Sequence, residues 1–197
     1  MKKQFILFYF SISFLMSCGQ TNRLSEEDYK WMPYNGNETL VFKSNTGDTD
    51  TVFLLKKDTL LAYPEAQSLN GIKYEVVSIF CKHSNIDKQG SGRSYYLFKV
   101  QKAKDNRAEM IFDLSAKSAV FYRLRSAKID SISKEKPVTL QTSSGQYNDV
   151  YIINAEDYLG NFQLRSNFIT KVYWSKSNGL IRYDKKDTVY WELLKKY

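Results

Sequence analysis

One histidine, two cysteines and three prolines are spread over 197 residues, and these shortages remove several chemistries at the outset. His83 alone cannot build a multi-histidine metal centre. A Ser-His-Asp arrangement would have to be raised on a histidine beside the Gly- and Ser-rich stretch CKHSNIDKQGSG, so the expectation is an exposed loop histidine. No Cys-x-x-Cys, His-Glu-x-x-His or Gly-Lys-Ser phosphate loop occurs, and neither metal nor cofactor is expected. No Pro/Gly/Ser-rich linker divides the chain, which argues for one domain. Beyond residue 17 no apolar run approaches the roughly 20 residues that a membrane-spanning helix needs. Although the formal net charge is +8, the basic residues come as scattered pairs such as Lys56-Lys57, Lys185-Lys186 and Lys195-Lys196. Without a dense run or a nucleic-acid motif, no nucleic-acid partner is expected.

What the chain does have begins at its N-terminus. Met1-Lys2-Lys3 is a small positive region, and FILFYFSISFLM is an apolar run too short to span a bilayer. Together they describe an export signal. Leu15-Met16-Ser17-Cys18 resembles the bacterial lipobox, which implies removal of residues 1–17 and lipidation of Cys18, palmitate included. The expected organisation is therefore a signal at 1–17, a lipidated tether at 18–23 and a β-rich domain at 24–197. Each buried acyl methylene contributes about 0.8 kcal/mol, so two or three chains hold such a tether in the membrane almost permanently. The Gly-Gln after Cys18 lacks the Asp that keeps enteric lipoproteins in the inner membrane, which points to the outer membrane, on either face. Loss of the signal takes two lysines away and lowers the formal charge to +6. Cys81, in KYEVVSIFCK, is then without a disulfide partner and reads as a small buried apolar side chain.

Short runs rich in Val, Ile, Phe, Tyr and Thr, separated by Gly, Asn, Asp and Ser, predict a mostly β fold. The runs lie at 39–44, 51–57, 72–82, 94–102, 108–115, 117–125, 137–142, 149–154, 170–176, 179–184 and 188–194. Their spacing predicts a single antiparallel meander, half-barrel or barrel-like sheet with one to three short helices. In TKVYWSK, Val172 and Trp174 share one face; in TVYWELL, Val189, Trp191 and Leu193 do the same. Helical turns are expected after Ser25, where Asp28 completes a near capping box, within NAEDYLGNF between Asn154 and Gly160, and within YPEAQSLNG.

The segments WMPYNGNETLVFKSNTGDTDT (31–51) and VYWSKSNGLIRYDKKDTVYWEL (172–193) resemble the two ends of a family of small uncharacterised lipoproteins common in Bacteroidota. The middle, 56–165, does not share that likeness. The resemblance implies an envelope lipoprotein and transfers no activity and no catalytic residue. It gives meaning to four triplets, Asp50-Thr51-Val52, Asp58-Thr59-Leu60, Asp130-Ser131-Ile132 and Asp187-Thr188-Val189, which resemble the O-glycosylation acceptor of that phylum. Thr59 and Ser131, expected in exposed loops, are better acceptors than Thr51 and Thr188. The same triplets are also what the start of a strand looks like.

Asp48-Thr49-Asp50 lacks the Gly and Glu of a calcium loop and reads as a hairpin turn. Glu75, Glu109, Asp113 and Glu192 read as solvent-face charges rather than a glycosidase pair. Fifteen Tyr, twelve Phe and three Trp exceed what a sheet hides on one face, and Tyr95-Tyr96 and Phe121-Tyr122 place rings on both. The expected function is a membrane-anchored envelope lipoprotein, not an enzyme, that binds or scaffolds through an aromatic β surface, with a lipid, a glycan or an envelope protein as partner. An inhibitor- or immunity-type interaction protein is the alternative, and a glycan hydrolase the third.

Overall fold

The structure, a computed structural model, describes residues 20–63, 71–84, 95–114, 122–123, 127–157, 161, 163–166 and 168–197. The chain starts as β1 (Thr21–Asn22) and the single turn α1 (Glu26–Tyr29). It continues through β2 (Thr39–Ser44), β3 (Thr49–Ala62), β4 (Lys73–His83), β5 (Tyr95–Lys102), β6 (Ala108–Leu114), β7 (Tyr122–Arg123) and β8 (Ala127–Lys128). After a second turn, α2 (Ile129–Ile132), come β9 (Val138–Thr142), β10 (Gly145–Asn154), β11 (Ile169–Ser175), β12 (Gly179–Lys185) and β13 (Tyr190–Lys196). Among the described residues eleven strands form one antiparallel path, β7-β6-β5-β4-β3-β2-β13-β12-β11-β10-β9, the half-barrel that the strand spacing predicts. Two meanders are thus joined where β2 pairs with β13. β1 lies parallel on β4, and β8 pairs with β6. No described helix is long and apolar enough to cross a membrane.

Where they are described, the predicted runs form strands, because alternation of apolar and polar residues on a half-buried pleat is itself the cause of the pairing; the run at 117–125 lies outside the described residues except for Tyr122 and Arg123. β3 is the main difference. Lys56-Lys57-Asp58 looks like the end of a strand, yet a bulge between Leu54 and Lys56 lets β3 continue along β4 as far as Ala62. β2 accompanies it only from Thr49 to Phe53, so among the described residues Lys56 to Ala62 are paired on the β4 side alone. Ser25 caps α1 as expected: Asp28 N–H donates to Ser25 Oγ at 3.2 Å and Ser25 N–H to Asp28 Oδ2 at 2.8 Å. The turn expected from Asn154 does not start there, since Asn154 ends β10 and Ala155 N–H donates to Thr170 C=O; residues 158–160 of it, and 64–70 of YPEAQSLNG, lie outside the described residues. α2 was not predicted, for its Lys128 N-cap makes no side-chain bond.

The sheet curls around an aromatic centre. The Trp174 ring of β11 sits 4.1 Å from Phe98 of β5 and 5.3 Å from Phe112 of β6, contacts that a flat sheet of this strand order could not make. The concave side is closed by a strap, residues 24–38. From it Leu24, Trp31, Met32 and Tyr34 are buried, and Tyr34 meets Trp174 edge-on while its hydroxyl oxygen accepts Leu180 N–H at 2.7 Å.

Glu38 ends the strap. Burial by itself pushes its carboxyl up, but N–H groups of Asn35, Gly36 and Asn37 at 2.7, 2.8 and 3.0 Å outweigh this and hold it below its ordinary value. A group lowered in this way contributes stability above the unfolded carboxylate value, and that contribution is lost as pH falls through the folded one. The stability gap between the native protein and Glu38→Gln is therefore expected to shrink between about pH 6 and pH 3. Denaturation midpoints across that range check this, and a constant gap would refute the cradle.

Candidate functional site

The strap and the rim of the sheet enclose an open groove of about 570 Å³, lined by Tyr29, Lys30, Met32 and Pro33 on one side and Tyr151, Lys176, Ser177 and Asp149 on the other. α1 presents Tyr29, whose hydroxyl donates to Glu75 Oε1 at 3.1 Å. β10 presents Tyr151, whose ring lies 4.8 Å from the buried Trp31, and Lys176 Nζ stands 5.2 Å from the Trp31 ring centre. The Trp31 ring thus packs against both Tyr151 and Lys176. Asp149 is spent internally: it accepts Ser175 Oγ at 2.6 Å, and Ser177 N–H and Oγ each at 2.7 Å. Burial pushes its carboxyl up, and the two serines more than reverse that, holding it below the ordinary value. It braces the β11–β12 turn.

On the other side of α1 a second depression of about 460 Å³ includes Glu27, Asp28, Lys102, Arg107 and Asp130. Its carboxylates have basic partners: Asp28 meets Lys102 at 2.9 Å, Glu27 pairs with Lys30, and Asp130 lies 4.0 Å from Arg107. Burial raises the Asp28 carboxyl, whereas Ser25 and Lys102 lower it further, to a net depressed value. Among the described residues no cluster of three or more His, Cys, Asp or Glu could hold a metal ion.

The residues singled out in the sequence are dispersed. Cys18 lies outside the described residues. Thr51 is half-buried within β3, opposite Val41. Thr59 is exposed but in mid-strand opposite Val77, not in a loop, because β3 runs past the Lys pair. Ser131 is exposed in α2. Thr188 is exposed in the β12–β13 turn with φ +64°, whereas Ser131, expected in a loop, is a helix position and Thr51 and Thr59 are strand positions. Asp48 stays in the hairpin turn, but Asp50 turns inward and is 2 % exposed.

His83 is the clearest correction. It ends β4, is 3 % exposed rather than in a loop, and its Nδ1 lies 2.7 Å from Asp50 Oδ2. Asp50 also acts on its surroundings. Burial first, then the charges of Asp50 and Asp113, push the Cys81 thiol up to about 12; burial and then Asp50 push Tyr183 well above its ordinary value. Glu75 is likewise buried rather than solvent-facing, accepting Leu24 N–H at 2.7 Å as well as Tyr29. Glu192 is half-buried with Arg182 Nη1 at 3.2 Å, and Glu109 and Asp113 are half-buried. The groove rings come from Tyr29 and Tyr151, not from the paired aromatics; the side chains of Tyr95, Phe121 and Tyr122 lie outside the described residues, and Tyr96 carries Lys99 Nζ 3.4 Å from its ring centre. Sequence alone gave no signal for this meeting, since the two tyrosines are brought together by the strap crossing the sheet.

No family model matches the chain, and no curated protein or solved structure gave a match.

Proposed function

We propose that the protein is an outer-membrane lipoprotein, anchored through Cys18, whose β body is a binding module with a glycan chain as its ligand. The observation that supports this reading is the groove between Tyr29 and Tyr151, with Lys30, Lys176 and Ser177 beside the rings. Tyrosine faces suit the C–H faces of sugar rings, while ammonium and hydroxyl groups donate to sugar oxygens. An open groove also lets a long chain pass through. The nearby carboxylates already hold serine or basic partners, which favours binding over a hydrolase needing two carboxylates across a bond. The lipobox-like Leu15-Met16-Ser17-Cys18 supports the anchor.

Two measurements test the proposal. Cys18→Ala is expected to leave the detergent-extracted membrane fraction or to keep residues 1–17. The purified lipoprotein is expected to show a saturable change in intrinsic fluorescence with oligosaccharides released from its host's envelope, and Tyr151→Ala is expected to weaken that binding about ten-fold, near 1.4 kcal/mol. No saturable change with any of them, together with a protein partner recovered equally by wild type and Tyr151→Ala, would overturn the glycan.

A further inference from the structure

The tether expected at 18–23 is much shorter in the fold. Thr21 and Asn22 pair with Lys73 and Tyr74, Lys73 N–H donates to Gln20 C=O at 3.0 Å, and Leu24 N–H is held by Glu75. Two chain steps separate Cys18 from Gln20, so a lipid on Cys18 starts within about 7 Å of Gln20. A body on so short a leash cannot float away from the bilayer, and the part of its surface nearest Gln20 has to meet lipid.

That part of the surface is the end of the β3–β4 ladder, where Ala62 faces Tyr74, Leu61 faces Glu75 and Leu60 faces Val76. Leu60 and Leu61 are each 42 % exposed and Tyr63 37 %, so apolar side chains are exposed on both faces of this end of β3, as Phe53 and Leu55 are further along it. Lys73 Nζ stands 5.4 Å from the Tyr63 ring centre, and Lys57, opposite Ile79 of β4, is exposed further along β3. Aliphatic, tyrosyl and lysyl groups together are what the boundary between head groups and acyl chains favours.

We propose that this end of the ladder is a membrane-docking surface, seating Leu60, Leu61 and Tyr63 at the boundary of the bilayer that holds the Cys18 lipid, with Lys57 and Lys73 against anionic head groups. The inference rests on the anchor proposed above. A strand from a protein partner could add to the same edge of β3, where no strand pairs with Leu60 to Ala62 on the side away from β4 among the described residues; the short leash favours lipid, because such a partner would have to enter between this edge and the bilayer.

The mature lipoprotein is purified in detergent and reconstituted into protein-free vesicles of phosphatidylethanolamine and phosphatidylglycerol carrying a nitroxide head-group quencher. Leu61→Cys and Thr46→Cys variants carry an environment-sensitive fluorophore. Labelling is specific because Cys18 is acylated and Cys81 is fully buried. Thr46 lies in the turn at the opposite end of β3, about 40 Å away along the strand. Quenching several-fold stronger at position 61 than at position 46 is the expected result. Vesicles that float with bound protein but quench both labels equally weakly overturn the docking and leave the anchor standing. Protein that does not float removes the anchor and the docking together. Shielding of position 61 in native membranes but not in protein-free vesicles overturns lipid as the occupant in favour of a protein strand.

Discussion

Gly36→Ala is expected to cost more than about 4 kcal/mol, the range reached by few single substitutions, or to prevent folding. Gly36 has φ +96°, and a Cβ there would stand 2.2 Å from Lys57 N and 2.4 Å from Lys56 C. Both are backbone atoms of β3, next to its bulge, and neither can rotate away. Gly47 provides the comparison: its φ of +94° is the same, but a Cβ there meets nothing within 4 Å. Gly47→Ala should therefore cost only the left-handed strain, about 1–2 kcal/mol. Denaturant titration followed by tryptophan fluorescence separates the two, since the buried Trp31 and Trp174 both report on closure of the strap. Equal losses for the two alanines would mean that the strap is not seated on β3, and the groove formed by its Tyr29 would lose its rigid wall.

The contrast between those glycines shows what a sequence can and cannot disclose. WMPY is visible as a string, but that Trp31 and Tyr34 close a half-barrel depends on the curl of the sheet, which no local pattern encodes. The faces of β11 were legible because one face of that strand is wet: Val172 and Trp174 are buried while Lys171 is exposed. β4 was not legible in the same way. Tyr74 through Ile79 are all buried, so alternation disappears and Glu75, predicted to face solvent, instead anchors Leu24 and Tyr29. A Lys pair ordinarily ends a strand and so predicts a loop at Thr59; the bulge between Leu54 and Lys56 absorbs the irregularity and the strand continues. Aromatic richness announced a surface or a core without saying which rings would meet. Tyr29 and Tyr151 reach one groove only because β1 and α1 tie the N-terminal strap to one half of the sheet while Trp31 packs against the other.

His83→Leu is expected to be the more damaging half of the buried pair in the core. His83 looked like a loop residue because its sequence neighbours are polar, whereas its partner is supplied by the adjacent strand. Val52 lies directly opposite His83 in the β3–β4 ladder, which makes Asp50 its diagonal neighbour on the same face. Removing the imidazole leaves a carboxylate in a site 2 % exposed, whose Oδ1 already has no hydrogen-bond partner among the described residues. Breaking a buried pair in this way costs about 3–5 kcal/mol, or a melting temperature lower by ~6–20 °C for a domain of this size. Asp50→Val takes the Nδ1 partner from an imidazole whose Nε2 already has no partner among the described residues, at about 1–3 kcal/mol. The double variant Asp50→Val/His83→Leu removes the polar groups together and should recover most of the loss, since apolar replacement of a buried pair is often neutral. Such a recovery would show that the pair contributes less to net stability than to register, because a one-residue slip of β3 on β4 would turn Asp50 to the opposite face and leave His83 buried without its carboxylate. Losses that simply add in the double variant would show instead that Asp50 and His83 act independently, and the fixing of β3 against β4 would then fall to the bulge alone.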